Sequence, residues 1–169
     1  MNQPIAGVTP VELEEVPTMT VWPSIAAYNS GRFLGRLFEI RWPNLYIFRL
    51  GNLLALLAIP HALFLYFLRI APFYGQRYTV TNRRVVIQRG LSAVDEREIA
   101  LDQFDQIEVE VLSGQEWHHA GDLVFRREGN EVFRLEGVSR PEAFRRVCLN
   151  SHMARIGVQQ ARKHEAAVA

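Results

Sequence analysis

Residues Leu50 to Leu68, LGNLLALLAIPHALFLYFL, run for nineteen positions without a formal charge and are closed by Arg49 and Arg69. From one arginine to the other is about 30 Å at ~1.5 Å per residue, close to a hydrocarbon core of roughly 30 Å. The eight Leu, one Ile and two Phe favour insertion by roughly 0.3–0.6 kcal/mol each, about 3–6 kcal/mol in total. Asn52, Pro60 and His61 act against that sum. Trp42, Tyr46 and Phe48 before the stretch, and Phe73 and Tyr74 after it, stand where interfacial aromatic belts stand. A core helix of a soluble protein seldom runs this far without a polar stripe. The expectation is a transmembrane helix over residues 45–72, kinked at Pro60. A re-entrant hairpin turning at Pro60 is the alternative, and a buried hairpin in a protein with no membrane contact is a third.

His61 is the one readily titratable group at mid-depth. It is the intramembrane polar candidate, either with a functional role or as a neutral imidazole bonded to a carbonyl freed by the proline. Orientation is undecided by charge. Arg32, Arg36, Arg41 and Arg49 on one side are matched by Arg69, Arg77, Arg83 and Arg84 on the other, so the positive-inside rule is tied.

The segment WPSIAAYNSGRFLGRLFEIRWP begins and ends on Trp-Pro. Phe33, Leu34, Leu37, Phe38 and Ile40 gather on one helical face, with Arg32, Arg36 and Glu39 largely opposite. This predicts an amphipathic helix over 21–42, lying among lipid headgroups or packed on the rest of the protein. Residues 1–20 read as a flexible N-terminus, acidic and without the basic start of a cleaved signal peptide.

After Phe73 the periodicity changes from helical to two-residue. RYTVTN, RVVIQRG, EREIAL, QIEVEVL, DLVFRR and EVFRLEG read as six strands, with turns at Asn82-Arg83, Gly90 and Glu128-Gly129-Asn130. Their spacing is that of an antiparallel sandwich or barrel. Ser139 and Glu142 form an S-x-x-E capping box with Pro141 in the first turn, opening a helix that stacks Phe144, Val147 and Cys148 on one face. Gly157 marks its stop, leaving 157–169 as a polar tail.

RYTVTNRRVVIQRGL, then EREIALDQFDQIEVE and GDLVFRR, resembles the bacterial pleckstrin-homology-like domain family of the YdbS type. The resemblance covers roughly Gln76 to His152 and the span before it. It implies a mainly β domain over 76–156, a bent β-barrel or sandwich of about six to seven antiparallel strands capped by a C-terminal α-helix. Similar proteins are membrane proteins, many with two spans as a hairpin and the domain facing the cytoplasm. A position in the cell inner membrane with that orientation is therefore expected here.

The turn residues have structural readings first: Asn82 as an Asx-type side chain, Gly90 for positive φ, and Gly121 for a bulge. Arg83, Arg84 and Arg89 could instead contact anionic headgroups. Little else suggests chemistry. His118 and His119 are adjacent and in a strand would point apart, so with Glu116 and Asp122 they read as a polar loop around Trp117 and not as a metal site. Cys148 and His152 stand at i, i+4, where a nucleophile pair is possible, but Cys148 shares the apolar face of Phe144. No phosphate loop, H-E-x-x-H or G-x-S-x-G occurs. A formal net charge of +1 over 169 residues makes no case for nucleic acid, and one cysteine excludes a disulfide framework.

The expected protein is non-catalytic, with no cofactor and no metal. It is held to membrane lipids and docks a protein partner or oligomerises at the bilayer surface. The alternative is an accessory subunit of a transport or channel assembly with Pro60 and His61 lining a polar path.

Overall fold

The computed structural model describes residues 15–39, 44–45, 48–70 and 75–168. The expected flexible N-terminus lies outside that range up to residue 14, as do Ile40, Trp42, Pro43, Tyr46, Phe73 and Tyr74. In chain order the elements are β1 (Pro17–Val21), a 3-10 turn (Ile25–Ala27), α1 (Asn29–Glu39), a short pair β2 (Asn44–Leu45) and β3 (Phe48–Arg49), and α2 (Leu50–Ile70). There follow β4 (Gln76–Thr81), β5 (Arg84–Arg89), β6 (Val94–Ala100), β7 (Gln106–Glu110), a 3-10 turn (Glu116–His118), β8 (Ala120–Arg127), β9 (Asn130–Ser139) and α3 (Pro141–Val168).

Seven of these strands make two antiparallel sheets, β1-β4-β5-β6 and β7-β8-β9. Alternation sends Tyr78, Val80, Val85, Ile87 and Ile99 of the first sheet toward Ile107, Leu123, Phe125, Phe133 and Leu135 of the second. Phe144 and Cys148 of α3 close the core between them. Phe125 meets Phe104 and Phe133 edge-on, with ring centroids 5.0 and 5.7 Å apart, the arrangement the ring quadrupoles favour. The six strands read from the sequence are all present.

The seventh, β1, corrects the expectation for residues 1–20. Residues 17–21 pair with β4, from Pro17↔Thr81 to Val21↔Tyr78. Past β1, Pro23 bridges to Val138 of β9, and Ser24 N–H donates to the Gly137 carbonyl at 2.7 Å. The N-terminal segment thus ties the two sheets together. The helix expected over 21–42 is likewise shorter: residues up to Tyr28 are strand, bridge and 3-10 turn, and α1 proper is eleven residues long.

Local chemistry differs from the expectation at three points. At the β4–β5 turn the Thr81 hydroxyl takes the Asx-type role, accepting from Arg83 N–H at 3.1 Å and Arg84 N–H at 2.9 Å. Asn82 instead accepts from Val16 N–H at 3.1 Å through its side-chain oxygen. Ser139 does not cap α3: its hydroxyl donates to the Trp22 carbonyl at 3.3 Å, while Glu142 pairs with Arg145. Gly157 does not stop α3, which continues to Val168, so the expected polar tail is helical.

α2 is one helix of twenty-one residues with Pro60 inside it, which removes the hairpin alternative at that proline. Among the described residues no helix is long and apolar enough to cross a membrane.

Candidate functional site

The site is built on the α1–α2 pair. α1 lies against the loop between β7 and β8, and two glycines set the distance. A Cβ on Gly35 would sit 2.0 Å from the Gly114 carbonyl oxygen, and one on Gly114 would sit 2.0 Å from the Arg32 carbonyl. Gly114 also has φ +87°, a conformation that costs any residue with a Cβ. Phe38 packs on Trp117 with ring centroids 5.5 Å apart, and a His118 ring nitrogen lies 3.2 Å from the Gly31 carbonyl.

α2 then packs on α1. Ala58 and Leu65, with Ala62 between them, form a stripe at i, i+4, i+7 that meets Leu34, Phe38 and Ile25. These are contacts of the kind expected of α1 packed on the rest of the protein. Leu34 and Phe38 are spent on protein packing, and among the described members of the predicted apolar face Phe33 is the exposed one, at 62%.

Most of the other described side chains of α2 face outward. Leu53, Leu56, Leu57, Ile59, Leu63, Phe64, Tyr66 and Phe67 are 51–67% exposed. Together they present on the order of 800 Å² of mostly apolar surface, above the roughly 300–600 Å² of the largest patch on a typical monomer. Pro60 and His61 are on this open side as well.

Beneath α1, a buried polar network stiffens the loop that receives it. Asp122 is 2% exposed and Gln115 fully buried. Asp122 accepts from Gln115 Nε2 at 2.7 Å and from Gly137 N–H at 2.9 Å, and lies 3.3 Å from Arg134 Nη1. A β-bulge between Gly121 and Leu123 lets Asp122 reach Gly137 N–H. Gln115 in turn accepts from Leu112 N–H at 2.8 Å. Every polar atom of the carboxylate therefore has a donor, as burial demands.

The three arginines expected to touch headgroups do not form one patch. Arg83 is in the β4–β5 turn, while Arg84 and Arg89 are the two ends of β5, about 17 Å apart at ~3.3 Å per residue. Arg84 is held by Glu15 at 2.7 Å, Asp95 at 3.3 Å and Glu98, and Arg89 by Glu96 at 3.2 Å. His118 and His119 are not in a strand: His118 ends a 3-10 turn and His119 is left-handed, with φ 48°. No group of three metal-ligating side chains occurs among the described residues.

Cys148 and His152 do not make a nucleophile. Burial pushes the Cys148 thiol up to about 12, so at neutral pH it is a protonated, apolar filler. His152 stacks on Phe104 at 4.9 Å and points Nδ1 at the Leu101 carbonyl.

The sequence reading missed the glycine contact and the Asp122 network. Gly31 and Gly35 stand four apart on α1, a small-xxx-small spacing that signals close helix approach. A lone Asp at a strand start beside Gly121 gave no comparable signal.

Residues 25–154 match the family model of the bacterial PH domain. No curated protein and no solved structure matches the chain.

Proposed function

We propose a function from one premise: the chain belongs to the bacterial PH domain family, whose match includes α1, α2 and strands β4 to β9. The family supports a non-catalytic role in general. The finer reading is a membrane-anchored module, with α2 inserted in the bilayer and the β domain held beside it as a docking platform for a protein partner or a second copy.

The observation that carries this reading is the outer face of α2, with eight large apolar side chains more than half exposed. The same helix uses Ala58 and Leu65 to hold α1, so anchor and platform are coupled through packed side chains and the Gly35–Gly114 contact. Protein with such a face in water would associate through it. In acyl chains the Leu, Ile and Phe among them contribute favourably.

The test is flotation of the full chain with phosphatidylethanolamine–phosphatidylglycerol vesicles on a density gradient. The chain should float, and the variant Leu56→Glu/Phe64→Glu should stay at the bottom, because both positions lie on the exposed face and leave the α1 stripe intact. A native chain that stays with the dense fraction would overturn the anchor. Cross-linking in native membranes then distinguishes self-association from a separate partner.

A further inference from the structure

We infer that one end of the four-stranded sheet, the end carrying Trp22, Arg77, Arg89 and Leu91, rests against the bilayer interface with Leu91 below the headgroups. The opposite end, with the Asn82-Arg83 turn, points away from the membrane. This rests on the reading of α2 as the anchor and adds to it the orientation of the β domain.

Register brings these residues together. β1 ends at Val21, opposite Tyr78, so Trp22 follows directly at that end. Gln76 is opposite Arg89, and Arg89 opposite Val94. The start of β4, the end of β5 and the start of β6 therefore share one edge. Gly75, the first described residue after α2, is also at this edge. Gly75 lies five residues after Ile70, so it is within about 17 Å of the helix end, and its carbonyl accepts from Gly90 N–H at 2.8 Å. The β5–β6 turn is thus pinned to Gly75, the residue before β4.

The side chains at this end suit a lipid interface. Leu91 is 81% exposed, the most of any large apolar residue among those described, and Val94 is 64% exposed. A cleft of about 600 Å³ opens beside them, lined by Gly90, Leu91, Ser92 and Val94 together with Arg89, Asp95 and Glu96. The Arg77 guanidinium stands 6.0 Å over the Trp22 ring, an aromatic and basic pair of the kind that sits at headgroup depth. An apolar turn tip held by the Gly90–Gly75 hydrogen bond gains nothing from water. At the far end of β5, Arg84 is turned onto Glu15, Asp95 and Glu98.

The test places a nitroxide, one site at a time, at Leu91→Cys, Arg83→Cys and Phe64→Cys in the full chain. The chain is reconstituted in phosphatidylethanolamine–phosphatidylglycerol vesicles, and collision rates with oxygen and with a water-soluble nickel chelate are measured. Cys148 is fully buried and does not compete for the label. The inference expects the oxygen-to-nickel ratio at 91 to rise toward that at 64, and the ratio at 83 to stay at its aqueous value. An aqueous ratio at 91 with a lipid ratio at 64 overturns the orientation and leaves the anchor standing. An aqueous ratio at 64 overturns both. Shielding of 91 from both reagents shows that protein, a second copy or a partner, covers this end, and also overturns the inference.

Discussion

Gly35 of α1 and Gly114 of the β7–β8 loop touch backbone to backbone, with no room for a Cβ on either. This contact joins the helical pair to the β domain.

Gly35→Ala must therefore move α1 or the loop. Overpacking of this kind costs about 1–3 kcal/mol, and Gly114→Ala adds the strain of a positive φ. Both variants should lower the unfolding midpoint in detergent, and the amides of α1 should exchange faster than those of β4 and β5. Unchanged α1 exchange in both would show that the contact does not hold the helix.

Asp122 is the buried charge most dependent on its partners. Asp122→Ala leaves the buried donors Gln115 Nε2 and Gly137 N–H without their shared acceptor, at roughly 1–3 kcal/mol each, while Arg134 keeps Glu110 and Glu131. Arg134→Met removes the cation alone. It should cost less, because Gln115 and Gly137 still donate to the carboxylate. Chemical denaturation should rank the two in that order.

Acid should weaken the fold in a defined direction. The Arg84 side chain bonded to Glu15, and the Arg134 side chain bonded to Glu131, hold both carboxyls below their ordinary value of 4.5. A depressed folded value contributes stability above pH 4.5 that is lost as pH falls through the folded values. Both carboxyls are partly solvated, so each is worth at most about 1 kcal/mol. Arg84→Gln and Arg134→Met should each flatten the fall in stability below pH 4.5, measured as the denaturant midpoint against pH.

The Cys148 thiol, pushed up to about 12 by burial, should resist alkylation at pH 8 in the folded chain and react fully in denaturant. Ready labelling of the native chain would show that the closing helix opens. Cys148→Ala should be tolerated better than Cys148→Asp, which buries a carboxyl against Phe144.

Strand alternation was legible because it is local: Tyr78 and Val80 against Thr79 and Thr81 face opposite sides in a two-residue repeat. The helix of Leu50–Ile70 was legible for the same reason, as an unbroken apolar run. β1 was not, because PTMTV alternates over only five residues between Val16 and Trp22-Pro23 and becomes a strand by pairing with a segment some sixty positions away. The role of Thr81 in place of Asn82 depends on which side chain the turn geometry admits, and Arg84 looked like a headgroup ligand until Glu15, Asp95 and Glu98 were placed around it. The Asp122 network joins residues from a loop and two strands, a convergence that residue spacing does not encode.

The central claim is that α2 is a membrane anchor and not a core helix. The most direct measurement is alkaline carbonate extraction of membranes from cells expressing the full chain, followed by blotting of pellet and supernatant. The account predicts that the chain stays in the pellet and leaves it only with detergent. Recovery of the chain in the supernatant, with no detergent present, would contradict it.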